Sequence, residues 1–139
     1  MTTKTIKLIV FITLLVHGIG HFQGVVAGLG VKINNAEATR SWLLQSLSDK
    51  TQRWICLAMF LVTGIMGILT ALSFRNILVS SSSWQIFALI TAILSTLCLV
   101  FYFNGFAMFF NKIGAIAVNL LIYYSILFNG QWPAAAFED

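Results

Sequence analysis

Residues 8–31 read LIVFITLLVHGIGHFQGVVAGLGV, an uncharged stretch bounded by Lys7 and Lys32. As an α-helix this stretch is about 36 Å long at the usual rise of about 1.5 Å per residue, which is enough to cross a bilayer with some tilt. The basic start at Lys4 and Lys7 also suits a signal peptide, but the apolar run is much longer than a signal core of roughly 7–15 residues. The stretch therefore predicts a retained first transmembrane helix.

The composition of the whole chain indicates the same environment. Of its 139 residues, 59% are hydrophobic and 9% are charged, and the mean hydropathy is +0.92. Soluble domains carry about 25% charged residues, so this chain has too few to cover a soluble globule. The net charge is +4, but the basic residues stand singly at the ends of apolar runs. We therefore expect the lipid bilayer as a partner and no nucleic-acid binding.

Three further apolar runs follow the first one. The predicted spans are about 8–31, 54–74, 84–104 and 113–128, separated by polar or turn-forming segments. A backbone in lipid must satisfy its hydrogen bonds internally, and these runs lack the polar–apolar alternation of barrel strands. The predicted fold is therefore all-α, a single integral membrane domain (1–139) built as a bundle of four transmembrane helices.

The connection between the first two spans, residues 32–53, is the longest polar segment. Within it, residues 36–47 place Trp42 and several leucines among polar residues. This pattern is typical of a short amphipathic helix that lies at the membrane interface, with Trp42 as its anchor. Asn35 is the expected N-cap of that helix.

The distribution of basic residues favours one orientation. An even number of spans places both termini on the same side of the membrane. The terminal side and the turn between spans two and three hold Lys4, Lys7 and Arg75. The other side holds Lys32, Arg40, Lys50, Arg53 and Lys112. The positive-inside rule therefore favours a cytoplasmic first loop and termini outside.

His17 and His21 are the only histidines, and they lie one turn apart on one face of the first span. Ionisable groups at membrane depth usually face the bundle interior or a cavity. The pair could supply two metal ligands, one could be an axial haem ligand, or they could hydrogen-bond a headgroup or a quinone carbonyl. The structural alternative is a neutral pair bonded to neighbouring helices. Two histidines on one helix cannot bind opposite faces of one haem iron, so a bis-histidine haem would require a second copy of the chain.

Other polar residues in the spans are candidates for the same centre. Asn119 and Tyr123 lie four residues apart in the fourth span, and Gln23 and Thr63 could join them. Such a group either lines a pocket for a small ligand or forms a satisfied interhelical network. The predicted ligand-binding or polar-core residues are His17, His21, Gln23, Asn119 and Tyr123.

Small residues in the first span predict close helix packing. Gly20, Gly24 and Gly28 repeat at a spacing of four, which allows another helix to approach closely. A dimer seam and packing inside the monomer are both open, and we favour the second. Cys56 and Cys98 are expected at comparable depth in antiparallel spans; a disulfide is conceivable, but buried free cysteines are far more common.

The first span also carries a motif. The segment VHGIGHFQG, residues 16–24, resembles the opening helix of a group of small uncharacterised bacterial four-helix membrane proteins. Their H-G-x-x-H-x-x-G pattern is matched by His17, Gly18, His21 and Gly24. Their last span has a glycine shortly before an asparagine, which Gly114 and Asn119 match with one extra residue between them. The resemblance implies a bacterial inner-membrane protein and carries no established function.

At the level of size and span number, the chain is also similar to the DoxX-like membrane proteins, some of which are associated with quinone or thiol redox chemistry. We expect a non-enzymatic membrane protein, either an accessory subunit or a binder of a small hydrophobic ligand, in a homo-oligomer or a larger membrane complex. The alternatives are a redox subunit that binds haem, quinone or a metal through His17 and His21, and an oligomeric transporter or channel. We favour the absence of a cofactor. The sequence does not predict a hydrolase, because it offers no serine or cysteine nucleophile with a base and an orienting acid.

Overall fold

In the computed structural model of the protein, residues 2–31, 39–106 and 109–128 are described. All regular secondary structure in these residues is helical, which confirms the predicted all-α fold class. The helices are α1 (Thr3–Gly20), α2 (Phe22–Gly28), α3 (Asp49–Phe74), α4 (Trp84–Phe101) and α5 (Phe109–Tyr123). The 3₁₀ helices Ser81–Ser83 and Phe103–Gly105 flank α4, and a π-helical turn, Tyr124–Phe128, continues α5.

Four helical segments are long and apolar enough to cross a membrane. They are Thr3–Gly28, which joins α1 and α2, then Asp49–Phe74, Ser81–Phe101 and Phe109–Leu127. They differ from the predicted spans mainly at their ends, because the predictions followed the apolar runs alone. Helix α3 begins at Asp49 because the hydroxyl of Ser48 caps it, accepting from the Thr51 amide at 3.2 Å.

The prediction of an interfacial helix over residues 36–47 is wrong for residues 39–47, the part that the structure describes. Residues 39–48 form turns, and residues 32–38, which include the predicted N-cap Asn35, lie outside the described residues. The turns are held by one side chain of α3, since Gln52 Oε1 accepts from the Ser41 amide at 2.9 Å and its Nε2 donates to the Leu47 carbonyl at 3.0 Å. Both bonds pair backbone groups of this short segment with a side chain instead of with helical partners.

Trp42 connects the same loop to the bundle. Its ring is largely exposed, while its Nε1 donates to the Val100 carbonyl at 2.7 Å near the end of α4. Tyr102, which follows α4, is fully buried, and its hydroxyl donates to the Gln52 carbonyl at 3.0 Å. The first loop is therefore attached to both α3 and α4 at this end of the bundle.

The first membrane-length segment is interrupted at His21. The His21 amide donates to the Gly18 carbonyl at 3.2 Å, and the Gly24 amide donates to the His21 carbonyl at 3.0 Å. Both bonds join residues three apart, as in a 3₁₀ turn. The glycines here favour this local departure from α-helical bonding, because glycine stabilises an α-helix poorly. His21 therefore lies at the junction of α1 and α2.

The central helix of the bundle is α3, which packs along α1, α2 and α4. Close approach of α2 to α3 depends on glycine: a methyl group at Gly24 would lie 2.1 Å from the Phe60 ring, and one at Gly28 would lie 2.6 Å from Leu57 Cβ. Gly20 is off this interface, with no heavy atom within 4 Å of an added methyl. Two of the three predicted packing glycines thus face another helix of the same chain.

The core consists of two apolar clusters near opposite ends of the bundle, separated by polar or small residues. One cluster comprises Leu14, Ala71, Phe74, Trp84, Ala88, Ala92 and Ile122. The other comprises Cys56, Phe60, Cys98, Leu99, Tyr102, Phe106 and Ala115. Between these positions along the helices lie His17, Thr63, Gly67, Ser95 and Asn119. The polar groups of the protein's middle layer therefore meet inside the bundle.

Candidate ligand-binding site

The two histidines are buried together in this middle layer. Their ring centroids are 5.0 Å apart with the planes at 87°, and the exposed fractions are 9% for His17 and 1% for His21. The His21 ring also packs against Phe60 on α3 and against Phe106, at centroid distances of 5.8 Å and 5.5 Å. The junction of α1 and α2 thus directs His21 into an aromatic environment.

Several polar atoms of this layer lack a hydrogen-bond partner within the described chain. They are His17 Nε2, His21 Nδ1, His21 Nε2 and Asn119 Oδ1. The Asn119 side chain lies beside His17, but Asn119 Oδ1 and His17 Nε2 do not reach hydrogen-bond geometry. Each unpartnered buried polar group costs about 1–3 kcal/mol, so this concentration of four atoms is costly for the bundle alone.

The amide nitrogen of Asn119, by contrast, is well bonded. It donates to Ser95 Oγ at 3.0 Å and to Thr96 Oγ1 at 3.2 Å, which joins α5 to α4. Thr96 Oγ1 also pairs with the Tyr123 hydroxyl at 3.1 Å. Asn119 and Tyr123 therefore belong to one interhelical network, and that network holds the Asn119 side chain beside His17.

The other two candidates for the centre, Gln23 and Thr63, bond to other partners. Gln23 Oε1 accepts from Asn111 Nδ2 at 2.8 Å, which connects α2 to α5. Thr63 donates to the Met59 carbonyl at 2.7 Å and pairs with Cys98 Sγ at 3.4 Å. The predicted residues are thus divided between a layer around His17 and Asn119, a Gln23–Asn111 bridge and a separate contact of Thr63.

A cleft of about 840 Å³ opens from the histidines to the outer surface of the bundle between α1–α2 and α5. It exists because α5 packs mainly on α4 and contacts α1 much less. No Lys, Arg, Asp or Glu is among the described residues that line it. The lining residues are Ile12, Thr13, Val16, His17, Ile19, Gly20, His21, Phe22, Gln23, Val26, Phe106, Phe110, Asn111, Gly114, Ala115 and Val118.

The cleft combines apolar walls with polar groups at its inner end. Phe22, Phe106 and Phe110 provide aromatic surface, and the Gln23–Asn111 pair closes one side. Gly114 on α5 has no heavy atom within 4 Å of an added methyl, so its position adds space to the cleft. Concave, largely apolar sites with a few convergent polar groups are the usual form of small-molecule sites.

Metal coordination by the histidine pair alone would be incomplete. Within the described ranges, no cluster of three or more His, Cys, Asp or Glu residues is placed to hold a metal ion. The predicted metal role of the pair therefore gains no third ligand from the described part of the chain.

The two cysteines are free and fully buried in the cluster next to the histidines. Cys56 Sγ lies 3.9 Å from the Gly24 carbonyl, and Cys98 contacts Thr63 as described above. Both side chains pack among aromatic residues such as Phe60 and Tyr102. Their observed surroundings are those of small apolar core residues.

Asn111 is absent from the predicted site residues. The predicted fourth span begins at about residue 113, whereas Asn111 lies inside α5. A usable signal was present, because Asn111, Ala115 and Asn119 are spaced by four and so share one helical face. Phe106 follows a turn, and only the tertiary structure brings it against His21.

Neither a protein-family model, nor a curated protein, nor a solved structure matches this chain. Its function is therefore argued from the chemistry of the cleft.

Proposed function

We propose that this chain is an integral membrane protein that binds an uncharged, lipid-soluble ligand in the cleft between α1–α2 and α5. The observation that carries the proposal is the concentration of unpartnered polar atoms on His17 and His21, which line an apolar cleft, and on Asn119, which lies beside His17. A ligand that supplies hydrogen bonds to these atoms would offset their burial cost. The bilayer is the natural source of such a ligand, because the cleft opens on the outer surface of an apolar bundle.

The lining of the cleft defines the chemistry of the ligand's head. A neutral imidazole has one donor and one acceptor nitrogen, and the Asn119 oxygen is a further acceptor. Hydroxyl and carbonyl oxygens complement these groups. The absence of Lys, Arg, Asp and Glu from the described lining disfavours a charged head, which would be buried without a counter-ion. The flanking rings of Phe106 and Phe110 favour a flat head.

We therefore describe the ligand as a ring that bears hydroxyl or carbonyl oxygens, which includes phenols and quinones. Binding of a quinone would be consistent with the redox alternative, but binding alone requires no electron transfer. In this assignment His17 and His21 are ligand-contacting residues, and Asn119, which lies beside His17, links the site to α4.

His21→Phe is the sharpest test, because it keeps a flat ring against Phe60 and Phe106 while removing two unpartnered nitrogens. If His21 binds a ligand, the ligand-free variant should be as stable as the wild type or more stable, and binding should weaken by about tenfold. If His21 instead holds the bundle together, the variant should be destabilised.

Binding is measured by extracting lipids from the purified protein and quantifying them by mass spectrometry against the bulk membrane. We expect a neutral ring-bearing lipid to be enriched in the wild type and depleted in His21→Phe. Gly114→Leu provides an independent variant, because it fills the cleft at a position with free space; Gly114→Ala is its matched control. Equal lipid contents in the wild type, His21→Phe and Gly114→Leu would refute the proposal.

A further inference from the structure

A second cleft lies along the same seam between α1 and α5, toward the chain termini. Its volume is about 260 Å³, and Thr13 and Val118 line both clefts. The lining residues of the second cleft are Ile9, Val10, Thr13, Leu14, Trp84, Val118, Leu121, Ile122, Ser125 and Ile126. Since the two clefts share residues on both of the helices that bound them, they adjoin along this seam, and we refer to the two together as the groove.

The chemical character of the groove changes along its length. At the histidine end, His17, His21, Gln23 and Asn111 contribute polar atoms. Beyond Thr13 and Val118, the described lining is almost wholly aliphatic apart from Trp84 and the Ser125 hydroxyl. A ligand that matches the whole groove is therefore an amphiphile with its polar part at one end only.

The length of the groove favours a chain on that ligand. His21 lines the first cleft and Ile9 lines the second, and these residues are twelve positions apart, which corresponds to about 18 Å along a helix. A single ring is much shorter than this distance. The floor of the second cleft is formed by buried Leu14 and Ile122, which belong to the apolar cluster at this end. An unbranched or isoprenoid chain would bury its methylenes against this surface.

We infer that the ligand carries a long apolar chain, which lies in the seam between α1 and α5. The chain extends from the first cleft, which His17 and His21 line, to Ser125 in the second cleft. This inference rests on the proposed function, because it assigns the tail of the ligand whose ring contacts His17 and His21. It assigns the class as a long-chain phenol or quinone, as distinct from a small free aromatic molecule.

The test compares two probes that share a head: 4-ethylphenol and 4-decylphenol, titrated into the full-length protein in one detergent by calorimetry. The blocking variant is Ser125→Phe, in which a phenyl ring on the π-helical turn after α5 fills the second cleft. Its matched control is Leu127→Phe, the same new side chain in the same π-helical turn at a residue that does not line the groove. Each probe is compared between variants, so its partition into micelles cancels.

We expect Ser125→Phe to weaken 4-decylphenol binding by about tenfold, because about two methylenes lose their burial. Binding of 4-ethylphenol should be unchanged, and Leu127→Phe should bind both probes as the wild type does. Should Ser125→Phe fail to fold, Ile9→Phe blocks the same cleft from α1. Thermal unfolding identifies a misfolded variant before titration.

The outcomes separate this inference from the proposed function. If neither probe binds the wild type, and no ring-bearing lipid is enriched with it, the proposed function fails and the inference fails with it. If both probes bind and the blocking variants affect neither, the chain assignment is overturned while the ring site stands. If Ser125→Phe and Ile9→Phe weaken both probes equally, the chain assignment is also overturned.

Discussion

Gly18 of α1 and Gly67 of α3 bring the backbones of these two helices into direct contact. A methyl group added to Gly67 would lie 2.6 Å from Gly18 Cα, and one added to Gly18 would lie 2.7 Å from the Ile68 amide nitrogen. Distances this short leave no room for a side chain on either residue. Because His17 is the neighbour of Gly18, this contact also sets how far the histidine layer lies from α3.

We predict that Gly67→Ala destabilises the protein by about 1–3 kcal/mol, because an added methyl forces rigid backbone apart. Unfolding in detergent, followed by circular dichroism, measures the change. Gly20→Ala is the matched control: its methyl meets no heavy atom within 4 Å, so the better helix propensity of alanine should leave stability equal or higher by about 0.5–1 kcal/mol. Similar stabilities of the two variants would contradict the role of the Gly18–Gly67 contact.

The amide of Asn119 should contribute more to stability than the hydroxyl of Tyr123. Asn119→Ala removes bonds to Ser95 and Thr96, whereas Tyr123→Phe removes one bond to Thr96. Interhelical bonds in membrane proteins contribute about 0.6 kcal/mol on average, so we expect a loss of about 1–2 kcal/mol for Asn119→Ala, which also leaves a small cavity. The same unfolding assay measures both variants, and a larger effect of Tyr123→Phe would show that the network is arranged differently.

Gln52 should control the order of the first loop. Gln52→Ala removes the bonds to the Ser41 amide and the Leu47 carbonyl. We expect amide hydrogen exchange in residues 41–47 to accelerate by about tenfold, which corresponds to the loss of about two net hydrogen bonds. Gln45→Ala changes an exposed glutamine of the same loop and serves as the control. Equal exchange rates in the Gln52→Ala and Gln45→Ala variants would show that the Gln52 side chain does not hold this loop.

The two cysteine thiols should be inaccessible to maleimide reagents in the folded protein. Cys56 and Cys98 are both 0% exposed, so a reagent in solution cannot reach their sulfur atoms while the protein is folded. We expect no labelling in mild detergent and labelling of both after unfolding in dodecyl sulfate, measured by the added mass. Leu78→Cys places a thiol at a residue that is 91% exposed and gives the reference rate. Labelling of Cys56 or Cys98 at that rate in the folded protein would contradict their burial.

The number and kind of helices were predictable because they depend on local chemistry. Long uncharged runs are helical when the backbone must satisfy its own hydrogen bonds, whatever their neighbours are. The helix ends were less predictable: the Ser48 cap extends α3 through polar residues that an apolar pattern does not include. The loop after α2 was mispredicted because Gln52 supplies bonds to its backbone from another element.

The site was predictable only in part, for the same physical reason. His17, His21 and Asn119 were expected in one layer, since polar side chains in an apolar bundle turn inward. Gln23 and Thr63 are also inward, but they pair with Asn111 and Cys98. Which polar groups meet depends on the rotation and height of each helix, and those are set by packing contacts such as Gly18 against Gly67.

The sequence alone determined that most of the first apolar run is helical, that four membrane-length helices exist and that the first of them carries the histidines. Composition and spacing decide these points because they act within one helix. The tertiary structure decided that the histidine nitrogens stay unpartnered among the described residues and that a groove runs between α1 and α5. Both depend on how α5 packs against α4 and α1, a relation between distant segments that no single stretch of sequence contains.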